Sequence, residues 1–303
     1  MMKFQEFEKL RQREAPTFAN INLLGPCNVD CYFCLGKDID GVWSGQNQIK
    51  THFQEWPNLD KYLTLCEDAE IKNIYITGQN TDSLMYRYLG DLVDYLQEQY
   101  SFDVGLRTNG YLAKRNIEII NKCRRRTGYS IHSLNSETNQ KIMLRSDIPD
   151  WNNILKDTDK CRVSIVLNRY NEHELQEILA FVSQYENVKY IQVRRICTDT
   201  REDFLHPDTI VYERTHEAVS KEFTKHREFY KAPCYTIRNK EVVFWRTVKT
   251  SIGSFNYYTD GSYTDDYFVI EGYQNNGINY PINAPVKKLE GFWRKGDIEL
   301  IQV

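Results

Sequence analysis

The chain has 303 residues, 41% hydrophobic and 27% charged, and a net charge of −3 from 39 basic and 42 acidic side chains. Such a composition can bury a sizeable core, and its near-balanced charge argues against a dedicated nucleic-acid binder, which needs a basic face to displace counterions from phosphates. No run approaches the ~18 apolar residues of a membrane span, which points to a cytoplasmic protein whose eight cysteines are thiols or metal ligands rather than disulfides.

Met1–Glu14 reads as a charged N-terminal helix with no apolar signal core. Short β-rich runs then alternate with segments of helical period. The runs are Phe18–Leu24, Ile71–Thr77, Phe102–Arg107, Gly128–Leu134, Arg162–Leu167 and Val188–Ile196. Between them lie helical segments at Leu59–Glu70, Leu84–Tyr100, Arg115–Arg126, Trp151–Asp159 and Glu172–Glu186; the third ends in three arginines, which suit the negative end of a helix dipole. The first interval is lengthened by a polar insertion over 37–57, placed near the barrel mouth. The later runs start about 25–35 residues apart, as repeated βα units do. The expected fold class is α/β, a partial (β/α)6 TIM-like barrel over residues 1–197. From Thr198 the rhythm breaks. Val211–Tyr230 reads as a helix, and Glu241–Val248, Ser254–Thr259 and Tyr263–Gly272 read as strands, with a hairpin turn at Asp260-Gly261. Residues 198–303 are expected to form a helix and a small C-terminal antiparallel β extension closing one end of the barrel.

Cys27, Cys31 and Cys34 follow the first run, in a segment bracketed by Gly25-Pro26 and Gly36. Glycine and proline break regular structure, so the segment is a loop that can curl around a bound group. Three thiolates can cap three corners of an iron–sulfur cubane and leave the fourth iron open. A zinc site or packed thiols are the competing readings; zinc asks for four tight ligands, and the nearest further candidate is His52.

The cysteine spacing, with Phe33 before the last cysteine, resembles the signature of the radical S-adenosylmethionine (SAM) superfamily. The resemblance covers residues 18–197 and recurs at later strand ends, where a parallel barrel keeps its ligand sites. Thr77-Gly78-Gln79-Asn80-Thr81-Asp82 stands in the place of the family's Gly-Gly-Glu-Pro motif but departs from it at Gln79 and Asn80, so backbone carbonyls would hold the SAM amino group. Arg107-Thr108-Asn109-Gly110 is similar to the Thr-Asn-Gly that ends the third strand. Ser130–Asn135 resembles the family's Ser-Leu-Asp segment, which would bring Ser133 to the SAM carboxylate or ribose. His132 alternates to the opposite face and reads as a satisfied interior or helix-facing histidine.

On the fifth strand, period two places Ser164, Val166 and Asn168 on the interior face. On the sixth, Arg194 or Arg195 must meet a carboxylate, because an unpaired guanidinium in an apolar strand is costly; Arg194 is the candidate for SAM. Asn171-Glu172-His173-Glu174-Leu175 resembles the opening of the next helix in the molybdenum-cofactor and peptide-modifying branches, with Asn171 as a helix cap the plainer reading. The resemblance thus implies a [4Fe–4S] cluster on Cys27, Cys31 and Cys34. It implies SAM contacts from Phe33, Gly78, Gln79, Asn80, Thr81, Asn109, Ser133, Ser164, Asn168 and Arg194.

Peptide-modifying relatives hold auxiliary clusters in SPASM or twitch extensions. Beyond residue 197 this chain has only Cys234, with Cys197 at the boundary, so a single cluster is expected. Cys66, Cys123 and Cys161 read as packing thiols. Tyr257, Tyr258, Tyr263, Tyr267 and Trp245 read as cross-strand packing, or else as the lining of a substrate entrance. The implied activity is reductive cleavage of SAM to a 5′-deoxyadenosyl radical that takes hydrogen from a peptide or small metabolite, supplied with electrons by a flavodoxin or ferredoxin. The alternatives are an activase that installs a glycyl radical on a partner, and a non-enzymatic iron–sulfur or zinc-binding regulatory protein.

Overall fold

The computed structural model describes residues 18–37, 45–196, 201–229, 232–245 and 254–264. Six strands run parallel and pair in chain order: β1 (Phe18–Leu23), β2 (Asn73–Gly78), β3 (Asp103–Thr108), β4 (Thr127–Ser130), β5 (Cys161–Val166) and β6 (Val188–Arg194). Helices fill the crossovers, as parallel pairing requires. They are α1 (Leu59–Asp68), α2 (Leu89–Asp94), α3 (Ile117–Lys122), α4 (Ser136–Met143), α5 (Trp151–Asp157) and α6 (Leu175–Ser183), followed by the long α7 (Glu202–Glu222). The sheet curves as a partial barrel and is not closed. No helix among the described residues is long and apolar enough to cross a membrane.

Strand alternation sorts the side chains into two environments. Ile21, Ile76, Leu106, Ile165 and Val193 belong to the main core, shared with helix residues such as Leu63, Leu92 and Ile178. On the opposite face, Phe18, Tyr75, Tyr190, Val243 and Trp245 make a second, aromatic cluster. Above it the interior turns polar, with Asn22, Ser164 and Gln192 buried there.

The elements differ from the sequence expectation at instructive places. Strand β4 stops at Ser130, so Ile131–Leu134 is not strand. Helix α3 stops at Lys122, and Arg124–Arg126 form the approach to β4, with the Arg125 N–H donating to the Val104 carbonyl at 2.8 Å. The described part of the 37–57 insertion joins the core through Ile49, Phe53 and Trp56 rather than standing off the mouth. Helix α7 begins nine residues earlier than Val211, ahead of Pro207, and ends at Glu222.

The C-terminal strands do not form one unit closing an end of the barrel. They divide between the two edges of the same sheet, whose order is β11-β10-β1-β2-β3-β4-β5-β6-β9-β8-β7. Strand β7 (Lys225–Phe229), missed because it lay inside the expected helix, pairs antiparallel with β8 (Ala232–Ile237), and β8 with β9 (Lys240–Trp245). Strand β9 then runs parallel to β6, while β10 (Ser254–Tyr258) runs parallel to β1 and antiparallel to β11 (Tyr263–Thr264). The β8–β9 hairpin turns through Arg238 and Asn239, both at positive φ (50° and 60°), as a primed turn demands without the glycine that would advertise it. Trp245, Tyr257 and Tyr258 are buried, so they pack rather than line an opening; Tyr267 and the expected strand beyond Thr264 lie outside the described residues.

Candidate cofactor-binding site

The cysteine loop leaves the C-terminal end of β1 and is held on three sides. The Asp30 and Tyr32 N–H groups donate to the Met143 and Ile142 carbonyls at the end of α4, each at 3.0 Å. From the β2 side, Asn80 Oδ1 accepts from the Gly25 N–H at 3.0 Å and the Thr81 hydroxyl donates to the Pro26 carbonyl at 2.6 Å. From the start of α7, the Arg201 guanidinium donates to the Tyr32 and Cys34 carbonyls at 2.6 and 2.8 Å.

So held, Cys27, Cys31 and Cys34 face a cavity of about 470 Å³. Its other walls are the C-terminal ends of β2 to β6: Thr77–Asp82, Arg107–Asn109, Ser130 with His132, Ser164 with Val166, and Arg194. Burial pushes the Cys27 thiol up to about 11 and raises Cys31 and Cys34 as well. Three desolvated thiolates side by side are unfavourable unless cations compensate them. Donors already point at two sulfurs: the Gly36 N–H lies 3.3 Å from Cys34 Sγ and Asn109 Nδ2 lies 3.9 Å from Cys27 Sγ. Among the described residues no three His, Cys, Asp or Glu side chains converge on a single-ion position, as mononuclear zinc would ask. Three thiols from one loop on one cavity suit a cubane whose irons each take one sulfur.

The β2 end is shaped by close approach. A Cβ on Gly78 would sit 1.7 Å from the Thr81 carbonyl oxygen, so only glycine lets the chain fold back here. The Asn80 and Thr81 side chains bind the cysteine loop, and both residues line the cavity. Asp82, buried, accepts from the Thr108 hydroxyl at 2.9 Å and from the Asn109 and Leu84 N–H groups at 2.6 and 3.0 Å. It thereby couples the β2 and β3 ends, and burial still raises its carboxyl above the usual range. Asn109 donates from Nδ2 to Asn28 Oδ1 at 2.7 Å, linking β3 to the cysteine loop. Gly110 follows at φ +83°, packed on the Trp151 ring, where a Cβ would clash at 2.1 Å.

Eight expected SAM contacts line this one cavity: Phe33, Gly78, Gln79, Asn80, Thr81, Asn109, Ser164 and Arg194. Two do not. Ser133 is buried away from it, donating to Glu174 Oε2 at 2.5 Å. Asn168 is fully buried, donating from Nδ2 to the Val166 carbonyl and accepting from the Tyr170 N–H, each at 2.9 Å. Ser130 and His132 line the cavity while Tyr129 and Ile131 join the core, so period two continues past the end of β4 and puts Ser133 on the helix-facing side, where the motif resemblance did not expect it. His132 Nδ1 accepts from the Val166 N–H at 3.1 Å, and the ring stands edge-on to Phe33 at 5.2 Å. Burial, and then the Arg194 charge, push His132 down to about 3, so it is neutral with its proton on Nε2.

Asn171 is not a side-chain cap; its Nδ2 donates to the His132 and Val166 carbonyls at 2.7 and 3.0 Å, bracing β4 against β5. Arg195 lies near Glu213 at 3.9 Å. Asp82, Arg107 and Arg201 were not singled out by the sequence reading. Asp82 could have been found as the last letter of the β2 motif, and Arg107 by period two along β3. Nothing local signals Arg201, since its partners lie 167–169 residues away. Of the remaining thiols, Cys66, Cys123, Cys161 and Cys234 are all buried. Cys197 lies outside the described residues.

A search of curated proteins finds GTP 3′,8-cyclase of Aquifex aeolicus (strain VF5), 22% identical over 222 residues, which are 70% of this chain and 66% of the relative. Among solved structures, Streptococcus suis SuiB bound to its precursor peptide SuiA superposes with a TM-score of 0.59 at 13% identity, covering 86% of this chain and 62% of SuiB. SuiB bound to SAM matches with the same TM-score at 14% identity. The chain thus spans just under two thirds of the length of these relatives. The Radical SAM superfamily profile matches residues 21–182, from β1 through most of α6. That family implies a [4Fe–4S] cluster and SAM, and, with more than half of its sequence matched, the chain belongs to the radical SAM superfamily of enzymes.

Proposed function

We propose that residues 1–197 hold one [4Fe–4S] cluster on Cys27, Cys31 and Cys34 and bind SAM in the adjoining cavity, with 198–303 as an extension. In this reading the enzyme generates a radical that takes hydrogen from a peptide or small metabolite. The observation that carries this is the convergence of three thiols from the β1 loop with the ends of β2 to β6 on a single cavity. When bound and reduced, the cluster on Cys27, Cys31 and Cys34 would supply an open iron and an electron for reductive cleavage of SAM.

The chain's own residues do the rest. Gly78–Thr81 offers backbone carbonyls to the SAM ammonium, Ser164 a hydroxyl to the ribose, and Arg194 a guanidinium to the carboxylate. Phe33 and neutral His132 present an apolar, uncharged wall beside the reacting centre. Asn80, Thr81 and Arg201 keep the cysteine loop in place. SuiB is bound to a precursor peptide and the Aquifex relative is named for GTP, so both substrate classes stand open. A flavodoxin or ferredoxin would deliver the electron, in the cytoplasm.

The test is anaerobic reconstitution with iron and sulfide, reduction, and electron paramagnetic resonance with and without SAM. A cubane signal that shifts on SAM addition, with 5′-deoxyadenosine released, is the expected result. Zinc without sulfide, or a cluster signal indifferent to SAM, would overturn the reading.

A further inference from the structure

Cys27 is met from the end of β3 by an amide whose orientation is fixed. Asn109, 8% exposed, gives its backbone N–H to the buried Asp82 carboxylate at 2.6 Å. Its Oδ1 accepts from the Tyr111 N–H at 3.2 Å. With the oxygen end of the amide so occupied, Nδ2 has to face the cysteine loop. It meets two acceptors there, Asn28 Oδ1 at 2.7 Å and Cys27 Sγ at 3.9 Å.

Asn28 is held in turn. The Arg145 guanidinium donates to its backbone carbonyl at 3.1 Å, and Asn109 holds its side-chain oxygen. That oxygen lies 3.7 Å from Cys27 Sγ, within reach of the thiol proton. The other end of the same amide, Nδ2, is buried and has no hydrogen-bond partner among the described residues. A buried donor without an acceptor is unfavourable until a bound group supplies one.

Loading the site changes what these amides do. An iron-bound Cys27 has lost its proton and can only accept. The S–H···Oδ1 contact then becomes two acceptors facing each other, and the Asn109 amide is the donor that reconciles them. Reduction of a cluster by one electron, with no proton taken up, adds a negative charge to a desolvated group of sulfurs. Hydrogen bonds to those sulfurs stabilise the reduced form more than the oxidised one, and so raise the reduction potential. At Cys34 the donor is the Gly36 backbone N–H, which does not depend on a side chain. Side-chain control of the potential therefore lies at Cys27.

We propose that Asn109 and Asn28 are positioning residues for electron acceptance by the cluster: Asn109 Nδ2 donates to Cys27 Sγ, Asn28 Nδ2 donates to a sulfur of the bound cluster, and together they raise the potential at which it is reduced. The inference rests on the radical SAM reading above and gives the pair a role separate from contact with SAM.

The full chain is reconstituted anaerobically with iron and sulfide and kept free of SAM. It is then poised over a range of potentials with dithionite as reductant while the paramagnetic signal of the reduced cluster is recorded. Iron and sulfide content is measured first; a wild type without a cubane would overturn the radical SAM reading and this proposal together. In fully loaded Asn109→Leu and Asn28→Leu the midpoint should move to lower potential. At a fixed potential the reduced-to-oxidised ratio should fall roughly two- to tenfold, as loss of one hydrogen bond gives. Asn109→Asp, which sets a carboxylate where the donor was, should move the midpoint further down. If Asn109→Leu does not load, Asn109→Ser, too short to reach the sulfur, takes its place with the same expectation. Full loading with an unmoved or raised midpoint in the Asn109 variants would overturn the proposal alone. Weaker SAM binding by calorimetry beside an unchanged SAM-free midpoint would do the same, by leaving Asn109 as a SAM contact only. An unmoved midpoint confined to Asn28→Leu would remove Asn28 from the pair.

Discussion

The two faces of the same strands do different work. On the helix-facing side Ile21, Ile76, Leu106, Ile165 and Val193 are buried in one continuous apolar core. One residue along each strand, Asn22, Thr77, Arg107, Ser164 and Arg194 face the interior. A sheet covered by helices on its outside can be held together from there, and that frees the inside to carry buried polar and charged groups. Substitutions should therefore divide cleanly: outward changes remove stability, and inward changes remove binding.

The largest expected effect is at the cysteine wall. Cys31→Ala should abolish cluster loading, read as iron and sulfide content near background, while the melting temperature of the metal-free chain changes little. Retention of a full cubane in Cys31→Ala would break the comparison. On the outer face, Ile165→Ala should cost about 2–5 kcal/mol in denaturant unfolding, the range for emptying a packed aliphatic site. SAM affinity of the surviving folded fraction should stay near wild type.

The third effect depends on pH. His132 is held neutral, its pKa lowered from 6.5 to about 3, so the folded state binds fewer protons than the unfolded one between those values. Its contribution is complete above pH 6.5 and is lost as the pH falls toward 3. Between pH 7 and 5 this amounts to about 2 kcal/mol. Unfolding of His132→Gln should show a flatter dependence over that interval, and a parallel curve would sink the assignment. The smallest effect on stability is expected at Ser164, which lines the cavity. Ser164→Ala should shift unfolding by less than about 1 kcal/mol yet weaken SAM binding several-fold by calorimetry; an unchanged affinity would remove Ser164 from the site.

The legibility of the molecule followed the range of its interactions. The six parallel strands and the cysteine loop were readable because period two, helical period and glycine-bracketed thiols are local signals. Gly78 could be chosen by position, although the reason for it, the Thr81 carbonyl folding back, is tertiary. Ser133 was misplaced because the motif resemblance was followed there instead of alternation, which from Ser130 puts His132 on the cavity and Ser133 on the other face. The β8–β9 hairpin escaped notice because Arg238-Asn239 turns at positive φ without a glycine.

By itself, the sequence determined the parallel βα order, the apolar outer face and the three thiols on one loop, since each follows from spacing along a few residues. Only the tertiary structure decided that β10 joins β1 while β9 joins β6, and that Arg201 clamps the cysteine loop. Those outcomes depend on which distant backbone groups remain unpaired once the sheet has formed, and no local pattern records that.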